Sequence, residues 1–165
     1  MKPQLIRTYG TPLWVYDAAI IRQKIADLRA YDIIRYAQKA CSNTHILRLM
    51  RGEGVKVDAV SMGEVQRALH AGYTADEIVF TADVMDRATL DYLVTQNITV
   101  NAGSIDMLTQ LGEKHAGHNV WIRINPGFGH GHSHKTNTGG DTSKHGIWYG
   151  DAEAAMAVIK KYQLN

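Results

Sequence analysis

The stretch Val55-Lys-Val-Asp-Ala-Val-Ser-Met-Gly-Glu-Val-Gln-Arg-Ala-Leu-His-Ala71 decides the fold class. Its first part, residues 55–60, is rich in β-branched residues, which predicts a short strand. Its second part, residues 63–71, carries apolar residues at helical spacing. Ser61, followed three residues later by Glu64, has the pattern of a helix N-cap with a capping box. The stretch therefore predicts one strand followed by one helix.

The same unit recurs along the chain at a nearly constant interval. A helix over residues 17–29, with Asp17 as its N-cap, precedes the first strand. The other predicted strands are residues 32–37, 78–81, 98–101 and 120–125, and the other predicted helices are residues 45–51, 86–96, 104–114 and 151–162. This alternation calls for an α/β fold with parallel strands and helical crossovers, as in a (β/α) barrel or a doubly wound sheet.

The number of units is five, whereas a TIM-type (β/α)8 barrel has eight. Five units leave both edges of a parallel sheet unpaired. Two interpretations are open, an open five-stranded α/β domain or the first part of a longer barrel. The helix over residues 151–162 should lead into another strand, and we therefore favour the partial barrel.

Composition excludes several classes of function. The 165 residues are 45% hydrophobic and 21% charged, with a formal net charge of +2 that comes from scattered residues. No basic run favours nucleic acid, so small molecules or another copy of the chain are the expected partners. The longest apolar run, residues 154–159, is far below the roughly 18 residues of a membrane span. The N-terminus lacks a secretory apolar segment, and the single Cys41 excludes an internal disulfide, so a cytoplasmic location is expected.

Lys39 follows the first predicted strand, in Arg35-Tyr-Ala-Gln-Lys-Ala-Cys-Ser-Asn43. Active sites of parallel α/β folds lie at the carboxyl ends of the strands. A lysine kept from water there retains some neutral, nucleophilic amine, which can condense with an aldehyde. The alternative is a solvated lysine in a loop, and spacing alone slightly favours that alternative.

Two further charged residues lie within apolar strands. Asp58 needs a cation or hydrogen-bond donors, which a lysine or a cofactor at the neighbouring strand end would supply. Arg123 needs an anionic partner, such as Asp58 or a phosphate. A structural salt bridge is the alternative role for Arg123.

A long glycine-rich loop joins Asn125 to Ile147 and contains His130, His132 and His134. Histidines at alternate positions suggest a metal site. No cysteine pair or carboxylate cluster completes such a site, and glycine spacers would hold the ligands poorly. We therefore expect no metal, and expect an anionic cofactor or substrate to order the loop.

Several segments together resemble the fold-type III pyridoxal-phosphate-dependent decarboxylases of diaminopimelate, ornithine and arginine, whose barrel is shared with alanine racemase. The glycine-rich loop narrows the resemblance to the diaminopimelate branch of the family. The matching segments are Trp14-Val-Tyr-Asp17, Arg35 to Asn43, Val57-Asp-Ala-Val-Ser-Met-Gly-Glu64, Val79-Phe-Thr-Ala-Asp83, Val100-Asn-Ala-Gly-Ser104, Arg123-Ile-Asn-Pro-Gly127 and Ser143-Lys-His-Gly-Ile147.

This resemblance implies a cofactor, pyridoxal 5'-phosphate, with Lys39 as the lysine that holds it in a Schiff base. Asp58 and Arg123 match positions that line the cofactor pocket, whereas Ser143 and Lys144 match a motif to which we assign no role. The implied reaction is the decarboxylation of meso-diaminopimelate to L-lysine, in lysine biosynthesis. The resemblance also implies an amino-acid substrate and a homodimer of the full-length enzyme.

The resemblance further implies that residues 1–165 are a partial pyridoxal-phosphate-binding barrel domain, with the rest of the barrel and a C-terminal β domain outside them. Residues 13–16 match a strand that joins this β domain, and they have no sheet to enter here. The 165 residues alone are therefore expected to be inactive. The alternatives are another enzyme on the same barrel, either an ornithine- or arginine-type decarboxylase or an amino-acid racemase, or a non-catalytic fragment that binds the cofactor.

Overall fold

The structure is a computed structural model that describes residues 2–129 and 137–165. Strands and helices alternate in the predicted order. The helices are α1 (Lys2–Tyr9), α2 (Ala18–Ala26), α3 (Thr44–Gly52), α4 (Met62–Ala71), α5 (Arg87–Thr95), α6 (Ile105–Lys114) and α7 (Ala152–Tyr162). The strands are β1 (Arg35–Ala37), β2 (Lys56–Ala59), β3 (Ile78–Phe80), β4 (Thr99–Ala102), β5 (Val120–Ile122), β6 (Ile124–Asn125) and β7 (Ile147–Trp148).

Side-chain caps begin five of the helices, because the first N–H groups of a helix have no partner within it. These caps are Asp17 for α2, Asn43 for α3, Ser61 for α4, Asp86 for α5 and Ser104 for α6. The caps predicted at Asp17 and Ser61 are confirmed. Glu64, however, accepts the N–H of Val60 at 2.8 Å, so the reciprocal bond of the capping box reaches one residue further back than predicted.

The main sheet has five parallel strands in the order β1-β2-β3-β4-β5. The predicted α/β fold with helical crossovers is therefore confirmed, and the sheet is open rather than closed into a barrel. The outer edge of β5 differs from the prediction, since the N–H of Val120 donates to the carbonyl of Asn165 at 2.7 Å. The N–H of Asn165 donates in turn to the main-chain carbonyl of His118 at 3.0 Å, so the main chain after α7 lies alongside β5.

The strand predicted over residues 120–125 is interrupted at Arg123. Its second part, β6, pairs with β7 in a separate two-stranded parallel sheet. The N–H of Ile147 donates to the carbonyl of Arg123 at 2.7 Å, which anchors β7 to the interruption. Two-residue strands carry no periodic signal, and β7 was not predicted for that reason.

The two faces of the five-stranded sheet differ in composition. Val57 and Ala59 of β2 are fully buried against the helices, together with Val100 of β4 and Leu108 of α6. The alternate residues of the same strands, such as Asp58, face the other, concave side. The helices thus cover one face, and the charged strand residues lie on the concave face.

The segment before α2 packs loosely. Helix α1 was not predicted, and residues 13–16 form no strand. Trp14 is 87% exposed, and Val15 and Tyr16 are also exposed. This agrees with the expectation that residues 13–16 have no sheet to enter. None of the helices in the described part of the chain has the length and apolar character that crossing a bilayer requires.

Candidate active site

A cavity of about 820 Å³ opens on the concave face of the sheet. Each of the five parallel strands, or the turn that follows it, contributes side chains to its lining. The predicted site residues Lys39, Asp58 and Arg123 all line this cavity. The other lining residues are Arg35, Ala37, Val60, Val79, Thr81, Ala82, Asp83, Val84, Asn101, Trp121 and His145.

Lys39 lies in a short 3₁₀ turn, Gln38–Ala40, directly after β1. Its side chain reaches the cavity, as predicted from its place at a strand end, but the residue is exposed. The predicted shielding of the amine from water is therefore wrong for this structure. Shielding would require a cover over the cavity, and the strands alone supply only its floor.

Asp58 lies on β2, beside Ala37 of β1 in the strand register. Its Oδ1 atom is buried and has no hydrogen-bond partner among the described residues. A buried carboxylate oxygen without a donor is costly, and such an atom in a cavity is suited to a ligand that brings a donor. The predicted need of Asp58 for a partner is thus unmet by residues 2–129 and 137–165.

Arg35 contributes a second cation at the amino end of β1. It donates hydrogen bonds to the carbonyls of Val57 at 3.3 Å and Glu77 at 3.2 Å, and its guanidinium lies 5.0 Å from the ring centre of Trp121. Burial lowers the pKa of Arg35, and the negative charge of Asp58 opposes that shift. No role for Arg35 was predicted from the sequence.

Arg123 does not pair with Asp58, one of its two predicted partners, and the predicted phosphate stays a prediction. The Nη1 atom of Arg123 lies 4.0 Å from Oδ1 of Asp83 and 3.4 Å from Nδ1 of His145, and no contact with Asp58 occurs in the described residues. The same Nδ1 atom of His145 lies 2.8 Å from Oδ2 of Asp83. Asp83, Arg123 and His145 therefore form a charged cluster at the carboxyl ends of β3 and β5.

The residues around His145 dock on the backbone of Arg123. Gly146 has a φ of +84°, and a Cβ atom on it would lie 2.9 Å from the amide nitrogen of Asn125 and 3.1 Å from the carbonyl oxygen of Arg123. A side chain at position 146 would push this segment away. Ser143 supports the turn, because its Oγ atom accepts the N–H of His145 at 3.2 Å, whereas Lys144 is exposed.

The buried side chain of Asn125 joins the two ends of the glycine-rich loop. Its Oδ1 atom accepts the N–H groups of Gly127 at 3.1 Å and Gly140 at 3.0 Å, and its amide donates to the carbonyl of Gly140 at 2.8 Å. The stems of the loop are thus fixed beside the cavity. His130, His132 and His134 lie outside the described residues, and the prediction of no metal there stays a prediction.

Asp83, His145 and Asn101 also line the cavity and were not predicted from the sequence. Asp83 and Asn101 each lie at the carboxyl end of a predicted strand, the rule that selected Lys39, so that rule could have found them. His145 lies outside any strand, and only the docking of Gly146 brings it to the cavity.

Parallel strands linked by helices, with a lysine, carboxylates and an arginine at one edge, define the chain as a cofactor-binding part of an α/β enzyme fold. The sequence matches the family described as pyridoxal-dependent decarboxylase, pyridoxal binding domain, over residues 18–165. The chain belongs to this family, and its cofactor is pyridoxal phosphate.

Relatives and solved structures agree with this assignment. The diaminopimelate decarboxylase of Escherichia coli is 63% identical over 160 residues, which are 94% of this chain and 38% of that protein. A crystal structure of a diaminopimelate decarboxylase, 61% identical, matches with a TM-score of 0.93 over 98% of this chain and 39% of the other. A crystal structure of the Helicobacter pylori diaminopimelate decarboxylase complexed with L-lysine, 29% identical, matches with a TM-score of 0.90 over 98% of this chain and 44% of the other. The chain thus spans well under half the length of these relatives.

Proposed function

We propose that this chain provides the lysine-bearing part of an enzyme that decarboxylates meso-diaminopimelate to L-lysine and carbon dioxide, in lysine biosynthesis. The observation that carries the proposal is the convergence on one cavity of Asp58 from β2 with Lys39 and Arg123, which follow β1 and β5. The 63% identity to a diaminopimelate decarboxylase supports the choice of substrate over other amino acids.

The cavity suits pyridoxal phosphate in size and chemistry. Its volume of about 820 Å³ lies within the range of small-molecule sites. The lining contains three basic residues, Lys39, Arg35 and Arg123, and two acidic residues, Asp58 and Asp83. The formal charge of these five side chains is therefore +1, which favours an anionic ligand. The buried Oδ1 atom of Asp58 supplies an acceptor that lacks a donor among the described residues.

Each of the three residues has a proposed role. The amine of Lys39 would hold the cofactor covalently, and its exposure leaves it accessible to an aldehyde. The carboxylate of Asp58 would accept a hydrogen bond from the bound ligand or balance the charge of Lys39. The guanidinium of Arg123 would hold an anionic group. When bound, pyridoxal phosphate supplies the electron sink that accepts the electron pair released as the carboxylate leaves.

We propose that further parts of the enzyme lie outside residues 1–165, because the chain spans 38% of its E. coli relative. We propose that these residues are a partial barrel domain, because the five parallel strands form an open sheet and the described residues supply only the floor of the cavity. A homodimer is part of the proposal, and the exposed apolar side chains of Trp14, Val15 and Tyr16 are suited to a protein contact. A cytoplasmic location is also proposed, supported by the unpaired Cys41.

The test of Lys39 uses the polypeptide at its full natural length, because the chain spans 38% of its E. coli relative. Lys39→Ala should lose the visible absorption band of lysine-bound pyridoxal phosphate. Borohydride reduction of the wild type, followed by mass spectrometry, should find the cofactor attached to the peptide that contains Lys39. Lys160→Ala, on the exposed face of α7, is the matched control and should keep the band. An unchanged band in Lys39→Ala would overturn the role of this lysine.

The choice of reaction is tested separately with the wild type. Carbon dioxide should be released from meso-diaminopimelate faster than from L-ornithine or L-arginine. Faster release from ornithine or arginine would favour the related decarboxylases, and racemisation of an amino acid without carbon dioxide release would favour a racemase. Cofactor binding without turnover of any of these substrates would indicate a non-catalytic protein.

A further inference from the structure

We propose that Asp83 and His145 are positioning residues that hold the guanidinium of Arg123, so that its remaining N–H groups bind an anionic group in the cavity. This inference rests on the proposed function, because the anion would be a phosphate or phenolate oxygen of the cofactor or a carboxylate of the amino-acid substrate. All three share one chemistry, an oxygen anion that accepts hydrogen bonds from arginine.

The proton on His145 follows from the distances. Its Nδ1 atom lies 2.8 Å from Oδ2 of Asp83 and 3.4 Å from Nη1 of Arg123. One ring nitrogen cannot donate to the carboxylate and accept from the guanidinium at the same time. The shorter contact, to a charged acceptor, is the hydrogen bond, and we therefore assign the proton to Nδ1. The imidazole is then fixed by Asp83, and it limits the space open to Nη1 of Arg123 by packing at 3.4 Å, without a hydrogen bond to it.

Asp83 and His145 restrict Arg123 without neutralising it fully. The distance of 4.0 Å between Arg123 and Asp83 is at the long limit of an ion pair, and 30% of the Arg123 side chain is exposed. A guanidinium has five N–H donors, and only Nη1 faces these partners. The other donors have no hydrogen-bond partner within the described part of the chain. Arg123 therefore keeps both charge and donors for a ligand in the cavity.

The backbone supports the same arrangement independently. The segment that carries His145 is anchored on Arg123 itself, through the bond from Ile147 N–H to the Arg123 carbonyl at 2.7 Å. Gly146 allows this approach, and Ser143 fixes the turn before His145. The position of the imidazole relative to the guanidinium is thus set by main-chain contacts as well as by Asp83.

The experiment compares three substitutions in the full-length enzyme. Asp83→Asn removes the charge and keeps the shape. His145→Asn retains an N–H near the position of Nδ1, whereas His145→Gln moves the amide towards the position of Nε2. Asp106→Asn and His70→Gln, at exposed positions on α6 and α4, are matched controls.

Asp83→Asn and His145→Gln should each weaken anion binding about tenfold, as expected when a charge-assisted hydrogen bond is weakened. His145→Asn should restore binding to within about threefold of the wild type. A weaker affinity for pyridoxal phosphate, measured by titration without substrate, identifies the cofactor as the anion. A higher KM for meso-diaminopimelate with unchanged cofactor affinity identifies the substrate carboxylate.

The proposal is overturned if Asp83→Asn and His145→Gln behave like their controls, or if His145→Asn is as impaired as His145→Gln. Failure of the proposed function is distinguishable, because the wild type would then not bind pyridoxal phosphate. In that case nuclear magnetic resonance of isotope-labelled histidine in the cofactor-free protein decides the matter. It should find the proton on Nδ1 of His145 and lose that signal in Asp83→Asn, and a proton on Nε2 alone would refute the arrangement.

Discussion

The two faces of strand β2 differ sharply in their surroundings. Val57 and Ala59 are fully buried against the helices, whereas Asp58 and Val60, the residue directly after β2, line the cavity. One face buries apolar area, which stabilises the fold, and the other keeps polar groups available, one of them without a partner among the described residues. Because side chains alternate along a strand, residues that stabilise the fold and residues that line the cavity alternate within 57–60.

The largest effect on stability should distinguish these faces directly. Val57→Ala removes buried methyl groups and should lower the free energy of unfolding by about 2–3 kcal/mol. Val60→Ala, the same substitution on the cavity side, should cost under about 1 kcal/mol, because its side chain is already partly exposed. Urea unfolding of both variants measures the difference. Equal losses would contradict the separation of the two faces.

A second prediction concerns the close approach of the segment 143–147 to the backbone of Arg123 and Asn125. Gly146→Ala should lower the free energy of unfolding by about 1–2 kcal/mol, because its φ of +84° is unfavourable for a residue with a Cβ atom. The close approach to Asn125 should also displace His145 from Asp83. Gly52→Ala is the control, since position 52 ends α3 with open space around it, and it should be neutral or slightly stabilising. An unchanged free energy of unfolding in Gly146→Ala would show that the segment 143–147 tolerates a shifted backbone.

A third prediction concerns the pH dependence of stability that arises from Tyr73, which is buried among the helices. Its hydroxyl donates to the carbonyl of Leu47 at 3.1 Å, and burial raises the pKa of Tyr73 from 10.0 to about 12. A raised pKa means that the folded state prefers the neutral phenol. The contribution of the neutral Tyr73 phenol to the free energy of unfolding is therefore complete below pH 10.0, and it is lost as the pH rises to about 12.

Tyr73→Phe should lower the free energy of unfolding by about 1 kcal/mol at neutral pH, through loss of the hydrogen bond. It should also flatten the decline of stability at alkaline pH. Tyr31→Phe, at a position that is 69% exposed, should leave both the stability and its alkaline decline unchanged. If the stability of Tyr73→Phe declines at alkaline pH as steeply as that of the wild type, the decline arises from other groups. Tyr36 is one of them, because burial also raises the pKa of Tyr36.

The smallest effect on stability is expected at Asp58. Asp58→Asn relieves the cost of a buried carboxylate oxygen without a donor, but it also removes a charge that attracts Arg35, so the free energy of unfolding should change by less than about 1 kcal/mol. Cofactor affinity, in contrast, should fall. Asp106→Asn is the control for both measurements. A loss of stability comparable to that of Val57→Ala would mean that Asp58 is a structural residue.

Local features were predictable because a few neighbouring residues determine them. The caps at Asp17 and Ser61, and the order of strands and helices, follow from side chains within one helical turn or one strand of each other. Lys39, Asp58 and Arg123 could be selected as cavity residues because parallel strands bring their carboxyl ends to one edge. Their roles stay predictions, since no ligand contact has tested them.

Non-local features could not be predicted in the same way. Arg123 meets Asp83, which comes 40 residues earlier, and His145, which comes 22 residues later, and no local pattern specifies either contact. Strands β6 and β7 are too short for a periodic signal, and the exposure of Lys39 depends on what covers the cavity rather than on its neighbours in sequence.

The sequence by itself determined the parallel α/β fold, the edge of the sheet that bears the cavity, and the family resemblance. It could do so because hydrophobic periodicity and helix caps are local properties of the chain. Only the tertiary structure decided that Asp83 and His145, and not Asp58, contact Arg123. It also decided that Asp58 carries an oxygen with no partner in the described part of the chain. Such contacts depend on distances between segments far apart in sequence, and these distances arise only when the strands pair and Gly146 brings the end of the loop against Arg123.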